Sequence, residues 1–353
     1  MFGTSRAVVG LDIGSSAVKA VELKAVGRAC RVAAFGVQPV PPESIVDGAI
    51  IDRRAVADAI RRVFESDRAF GAKDVCTSLS GNAAIVKTIT LPIMTQSELD
   101  ERMYWEVGSY IPFDIQEVNL DCRIVGSGAG PESEGTMDVL LVAAKKSRVW
   151  DCVDVIAQAG RTPAIVDVDS LALQNAYEIN YGLEPGQVVA ILDAGASETS
   201  VIILQGDRPV FVRGISTGGH AYTQALQEDL GVPREVAERL KKGISVDEAR
   251  FEEAQPVLRA VTERLLVEIQ RTFVFFKATA SSDRIDRIVV SGGASRVDGF
   301  LEMIQDRFDT PVERFDPFRS VTWDAGNPDV DLAEAASTAA VAVGLALRRV
   351  GDR

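Results

Sequence analysis

The sequence predicts an α/β fold of two domains. Three observations carry that expectation. Strand and helix signals alternate along the chain. One strand–turn–strand unit occurs twice, at 8–23 and 188–204. The chain's 353 residues exceed what a single simple core fills.

The first unit, VVGLDIGSSAVKAVEL, runs apolar residues into Asp12, turns at Gly14, Ser15 and Ser16, and becomes apolar again with Lys19 set among Val18, Val21 and Leu23. A third strand is expected near 30–37, then a proline-rich turn at 39–44. A helix over 52–66 places Val56, Ile60 and Val63 on one face. Two strands within 75–91 end at Pro92, which cannot donate to a ladder. The next helix starts at Thr95 or Ser97, with a hydroxyl cap and an acidic first turn. The acidic run GSGAGPESEGT at 126–136 reads as a surface hairpin or loop, and MDVLLVAAK after it as a buried strand. A helix over 147–159 closes at Gly160. Residues from about 86 to 163 therefore read as a self-contained strand–helix–strand–strand–helix unit. The second copy, VVAILDAGASETSVIIL, then repeats an aspartate at a strand end, Asp193, followed by Gly195, Ala196 and Ser197. Near the end, 335–347 reads as a buried helix too short to cross a bilayer.

Composition narrows the function classes. Hydrophobic residues at 46% and charged residues at 25% match a soluble globular chain. A net charge of −13 argues against general nucleic-acid binding, which depends on Lys and Arg displacing counterions from phosphates. The four cysteines show no C-x-x-C spacing and read as reduced thiols. No basic stretch followed by a long apolar run opens the chain, so no secretory signal is expected. The single histidine, His220, excludes a two-histidine metal site and leaves none over for a Ser-His-Asp triad; it reads as a polar residue near a helix start.

Taken singly, each Asp-x-Gly turn is as readily an aspartate capping its own turn as a phosphate loop. The pair changes this. Two equivalent turns facing one another across a cleft make two anion-binding nests for one polyphosphate. Gly14 and Gly195 allow close approach, and Ser15, Ser16 and Ser197 add hydroxyls. Lys19 projects toward a terminal phosphate, and Asp12 and Asp193 hold the waters of a Mg²⁺ ion. Three later segments extend the pattern. Gly218 and Gly219 open a helix and offer free N–H groups to phosphate. Glu238 and Lys241, three apart, share a helix face and can meet a ribose and an adenine edge, or form an ordinary surface ion pair. IVVSGGASRVDGF puts Gly292, Gly293 and Ala294 between a strand and a helix, where the chain can lie flat against a nucleoside. Neither G-x-G-x-x-G nor the P-loop sequence occurs.

The order D-x-G-S-S with a lysine, D-x-G-A-S, S-T-G-G, A-E-x-x-K and S-G-G-A resembles the actin-like ATPase superfamily, which includes actin, DnaK-type chaperones, sugar kinases and FtsA. The resemblance implies the two-domain actin-like (ribonuclease H-like) ATPase fold with ATP and Mg²⁺ between the domains. It makes Asp12 and Asp193 the catalytic and metal candidates. WEVGSYIPFDIQEVNLD, DVLLVAAKKSRV and AIVDVDSLALQNAYE look like the PilM family of type IV pilus assembly proteins. That likeness implies an FtsA-like IC subdomain insert and a groove beside it for the N-terminal cytoplasmic peptide of PilN. It also implies a place at the inner membrane through that partner, and at most slow ATP hydrolysis.

The division that follows gives 1–85 to the first part of domain I (IA) and 86–163 to the inserted IC subdomain. Residues 164–187 return to IA and a linker, 188–330 form domain II (IIA and IIB), and 331–353 form a C-terminal helix packing on the core. Tyr104, Trp105, Tyr110, Ile111, Pro112 and Phe113 concentrate large apolar groups in a chain only 6% aromatic, and read either as partner anchors or as the insert's own core. Other expected contacts are further pilus assembly proteins and self-association. Two other functions remain open. One is a membrane-linked, FtsA-like filament former, although the chain stops at ALRRVGDR without an amphipathic tail. The other is a small-molecule kinase, which would need a polar substrate pocket the insert does not show.

Overall fold

The computed structural model describes residues 7–26, 29–127, 135–247, 249–279, 284–323 and 332–352. The 126–136 loop expectation falls mostly on 128–134, outside the described residues. Three strands open the fold: β1 (Val9–Ile13), β2 (Ala17–Val26) and β3 (Ala29–Pro39). They pair as an antiparallel meander in which Asp12 faces Lys19. A two-residue pair, β4 (Ile45–Val46) and β5 (Ala49–Ile50), leads to α1 (Arg53–Glu65), capped by the Asp52 carboxylate accepting from the Ala55 N–H at 2.9 Å. β6 (Asp74–Leu79) runs parallel to β1.

The inserted part follows. β7 (Ala84–Pro92) precedes α2 (Gln96–Glu106), whose start is fixed at Thr95 by a capping box with Glu98. β8 (Val118–Ser127) and β9 (Thr136–Lys145) complete a three-stranded sheet in the order β7-β9-β8. Leu99 and Met103 of α2 pack on Val139, Leu141 and Ala143 of β9, giving the insert its own core on one sheet face.

The expected self-contained unit fails at its last helix. α3 (Lys146–Gln158) turns Val155 and Ile156 into the cluster formed by α1 and the first sheet, and Asp151 is ion-paired with Arg53 of α1. The amphipathic pattern of α3 was readable; the sheet it covers was not, because periodicity shows that a face is buried and not against what.

β10 (Thr162–Val168) runs parallel to β6, completing with β16 (Val321–Thr322) a six-stranded sheet in the order β10-β6-β1-β2-β3-β16. α4 (Asp169–Tyr181) leads to the second meander: β11 (Val188–Ala194), β12 (Thr199–Gln205) and β13 (Arg208–Ile215). Then come α5 (Gly219–Leu230), α6 (Arg234–Lys241), the long α7 (Phe251–Thr279), β14 (Arg287–Ser291), α8 (Phe300–Arg307) and β15 (Val312–Arg314). The second sheet has five strands in the order β13-β12-β11-β14-β15. Val188 to Leu192 are at most 3% exposed, which explains their uninterrupted apolar run: both faces of this sheet are covered.

Two short helices, α9 (Leu332–Thr338) and α10 (Ala340–Ala346), stand where one was expected, with the break at Ala339. All seven residues of α10 are buried, between β1 and α4. The β12–β13 turn is fastened to the insert: Arg208 Nη1 lies 3.0 Å from Asp138 Oδ2 on β9, and Thr88 Oγ1 donates to the Pro209 carbonyl at 2.9 Å. Gln174 of α4 donates to the Asp207 carbonyl of the same turn at 2.8 Å. Among the described residues no helix is long and apolar enough to cross a membrane, and all four cysteines are free.

Candidate functional site

The two repeated hairpins meet. Their registers are the same: Asp12 pairs across its ladder with Lys19, and Asp193 with Ser200. Cross-strand neighbours share a face, so Lys19 reaches Asp12, Nζ to Oδ2 at 2.7 Å. Asp193 has no such cation; its carboxylate takes a hydrogen bond from Ser291 at the end of β14. Ser197 Oγ lies 2.7 Å from Ser15 Oγ, closing one loop against the other.

The backbone donors sort themselves. The Gly14 and Gly195 N–H groups are spent inside their own turns, on Ala17 and Glu198 carbonyls at 3.2 and 2.9 Å. Among the described residues the N–H groups of Ser15, Ser16, Ala196 and Ser197 donate to no protein acceptor. These four, rather than the glycines, are the donors free for an anion.

The charges are out of balance. Burial pushes the Lys19 ammonium down, but Asp12 beside it, with Asp193 and Asp169 behind, more than offsets this and its pKa ends above the ordinary value. Burial, then the nearby Asp12 charge, pushes the Asp193 carboxyl up to about 6, against the pull of the Ser291 hydroxyl and Lys19. Asp169 is raised well above the carboxylate range by burial and Asp12, with the Ser78 hydroxyl bonding its charged form. Glu198 is raised by burial and by Asp193 and Asp47, against its bond from Ser200. Asp169 and Glu198 were missed by sequence reasoning. The signal existed for Asp169, a carboxylate between an apolar strand and a helix start in VDVDS, the placement that drew attention to Asp12.

The flanking segments join this centre with one correction. Gly218 and Gly219 do open α5, but their helix end is not free: the Gly219 N–H donates to the Gly195 carbonyl at 2.9 Å and the His220 N–H to the Ala196 carbonyl at 2.7 Å. A Cβ on Gly218 would lie 2.6 Å from the Gly195 oxygen, so glycine lets the helix dock on the second loop. His220 Nδ1 lies 3.4 Å from Ser197 Oγ. Lys241 Nζ meets Glu238 at 2.8 Å and the Gly219 carbonyl at 3.2 Å, and Thr223 donates to Glu238, so this pair is built into the α5–α6 junction and is not a loose surface contact. Gly292, at φ +89°, packs its backbone on Ala194 beside Asp193. Gly293 is exposed, whereas Ala294 is 5% exposed and belongs to the second core. Among the described residues no three His, Cys, Asp or Glu side chains form a metal cage. Asp12 and Asp193 fit the alternative, a magnesium ion held through its waters, and the excess of carboxylates over Lys19 at this point favours a cation.

A second concavity of about 820 Å³ lies elsewhere, walled by the insert sheet and α4. Leu140, Val142 and Ala144 of β9 face it, alternating with the residues that face α2. Leu171 and Ile179 of α4 form the opposite wall, and Arg348, bonded to Asp167, lies at its base. None of the six expected partner anchors lines it. Ile111 is 4% exposed in the insert's core, Tyr110 and Phe113 pack against that core, and Tyr104, Trp105 and Pro112 are exposed on the α2 side. The lining of the groove escaped sequence reasoning because its apolar residues come from five separated stretches, at 79, 120, 140–149, 166–179 and 347.

Comparison with known proteins places the chain. A family model described as type IV pilus assembly protein PilM matches residues 10–350, and the chain belongs to that family. The structure is similar to a PilM-PilN type IV pilus biogenesis complex, with a TM-score of 0.84, 29% identity and 98% of each chain covered. It also superposes on MreB5 of Spiroplasma citri bound to AMPPNP, with a TM-score of 0.52 at 13% identity over 96% of this chain and 94% of that one. In sequence it is 24% identical to cell division protein FtsA of Streptococcus pneumoniae serotype 2 (strain D39 / NCTC 7466), over 87% of this chain and 75% of that protein. The expected actin-like ATPase fold is the fold of this chain.

Proposed function

We propose that this PilM-family chain is the nucleotide-binding cytoplasmic component of the type IV pilus inner-membrane assembly complex. In this reading it holds the N-terminal cytoplasmic segment of PilN in the groove between the insert sheet and α4. The observation that carries the reading is that groove: an apolar-walled channel with exposed strand and helix residues on both sides, large enough for several residues of extended chain. The structural neighbour at 29% identity is a complex with PilN, which supports the partner.

Nucleotide belongs to the same reading. Ser15, Ser16, Ala196 and Ser197 present backbone N–H groups to a polyphosphate, Lys19 supplies a positive charge, and Glu238 and Lys241 stand at the α5–α6 junction for the nucleoside. A bound Mg²⁺ would neutralise phosphate charge. Asp12 and Asp193 would hold its waters, and Asp169, at the cleft, would accept a hydrogen bond from an attacking water. The division into IA, IC and domain II is kept, with α3 assigned to IA.

The test is titration of a peptide of the PilN cytoplasmic N-terminus into the full chain by calorimetry, with Val142→Arg as the blocking variant. The expected result is binding to the parent, loss of at least tenfold in affinity for Val142→Arg, and unchanged ATP binding by that variant. Equal peptide affinity for the two proteins would remove the groove from the proposal.

A further inference from the structure

Among the described residues α7 carries a stripe that is left largely exposed, touched only at its edges, where Phe275 lies tilted on Phe211 and the Gln270 amide oxygen accepts from Arg307 of α8. Val274 is 62% and Phe275 54% exposed, and with Val267, Gln270, Arg271 and Ala278 they line a shallow trough of about 500 Å³ along the helix. Those positions recur at three, four, seven and eight residues, the spacing of one helix face, on a helix whose other side is already buried in the second core. A helix that is apolar on two sides has a second surface to cover.

The charges around the stripe indicate what covers it. Glu263, Gln270 and Lys277 are seven residues apart, two turns, and so lie along one flank; Arg264, Glu268, Arg271 and Phe275 lie along the other. In an antiparallel pairing of two α7 helices about a two-fold axis at Gln270, each flank meets the same flank of its partner, and residues equally far before and after Gln270 stand opposite. Glu263, seven before, then meets Lys277, seven after. Val267, three before, meets Val274, four after. Glu268, two before, meets Arg271, one after, and Arg264, six before, meets the Phe275 ring, five after. Opposite charges, apolar groups and a cation–aromatic pair all match in one register. Within one chain Glu268 and Arg271 are already ion-paired, so the second copy extends an existing pair into a network.

From this register we infer that the exposed face of α7 is a self-association surface, on which two copies of this chain pair antiparallel about Gln270. The patch is small, so the dimer is weak, with a dissociation constant on the order of 10–100 µM. This surface lies on α7, apart from both the nucleotide cleft and the groove, and does not depend on the function proposed for them.

Sedimentation equilibrium of the full chain across that concentration range tests it. The expected result is a monomer–dimer equilibrium that Val274→Glu shifts at least tenfold toward monomer. Glu263→Lys and Lys277→Glu should each weaken it several-fold, and the double variant carrying both should restore it to within about threefold. The rescue distinguishes register-specific pairing from damage, since two destabilising changes do not repair each other. A monomer throughout, a dimer indifferent to Val274→Glu, or a double variant no better than the singles would overturn the inference. A chain that stays monomeric but loses the PilN peptide on Val274→Glu would assign this face to that partner instead.

Discussion

The two hairpins that meet at the cleft differ in charge at two matched positions, Lys19 against Ser200 and Ala17 against Glu198. In β1–β2 the residue opposite the aspartate is Lys19; in β11–β12, at the same register, it is Ser200. The loops are of equal length and each aspartate ends an apolar strand, yet Asp12 sits against an ammonium and Asp193 against a hydroxyl. The first half is charge-compensated by its own sequence, and the second carries its carboxylates without a paired ammonium. A repeated unit can thus be repeated in backbone and made unequal in charge by two side chains, Lys19 in one copy and Glu198 in the other.

The largest effect expected from breaking the asymmetry follows removal of its one cation. Lys19→Met leaves Asp12 facing Asp169 and Asp193 without compensation. Breaking a buried pair from one side costs about 3–5 kcal/mol. Lys19 and Asp12 are 15% and 14% exposed, so the lower end applies, about 3 kcal/mol in the nucleotide-free protein. Chemical denaturation should show that loss, and calorimetry an ATP affinity reduced by roughly a hundredfold, about two decades at 1.4 kcal/mol each.

Next comes the uncompensated half. The Asp193 carboxyl is pushed up to about 6 from an ordinary 3.8, so the folded chain binds more protons than the unfolded one between those values. Stability of the nucleotide-free protein therefore falls as pH rises through that window, and the full cost is present above it. Asp193→Asn removes the cost: it should stabilise by about 1–3 kcal/mol at pH 8 and by nothing resolvable near pH 3.5. Thermal melts at the two pH values in chelator check this. A variant equally stabilised at both would place the gain outside the carboxyl's titration.

Ser200→Lys sharpens the comparison by writing the first hairpin's solution into the second. The new ammonium would stand between Asp193 and Glu198, both raised by burial and by neighbouring carboxylates. A gain of about 1 kcal/mol at pH 8 is expected, together with lower Mg²⁺ dependence of ATP binding, because the position a cation would fill is then occupied.

Much of this centre was legible in the sequence, and the reason is physical. Asp12 and Asp193 interrupt apolar strands, and a buried carboxylate needs a partner wherever it occurs, so one chain suffices to see that something must meet it. Thr95 and Gly160 were readable for a similar reason: caps and left-handed turns are local chemistry. What could not be read depends on which surfaces meet. α3 packs Val155 and Ile156 on the first sheet, the α5 terminus spends its N–H groups on the loop beside it, and the groove is assembled from β6, β8, β9, α3, β10, α4 and the residues after α10. Trp105, the most conspicuous residue of the insert, points away from that groove at 79% exposure, while Val142, one apolar residue among many, lines it.

The smallest expected effect asks whether the two halves touch at all. Ser15 Oγ and Ser197 Oγ, 2.7 Å apart, join the loops directly. A hydroxyl pair of this kind is worth about 0.5–1.5 kcal/mol net. A double-mutant cycle with Ser15→Ala, Ser197→Ala and both should give a coupling in that range for the nucleotide-free chain, since each single change removes the same bond. The same cycle in saturating Mg-ATP should give a coupling near zero. The free N–H groups of Ser15, Ser16, Ala196 and Ser197 surround the point where the hydroxyls meet, so a phosphate gripped by both loops must part them, and each serine then bonds to the ligand and not to its counterpart. Zero coupling without nucleotide would mean that the loops stand apart in solution. Unchanged coupling with nucleotide would mean that the phosphate is held by one hairpin alone, and the charge asymmetry would then decide which.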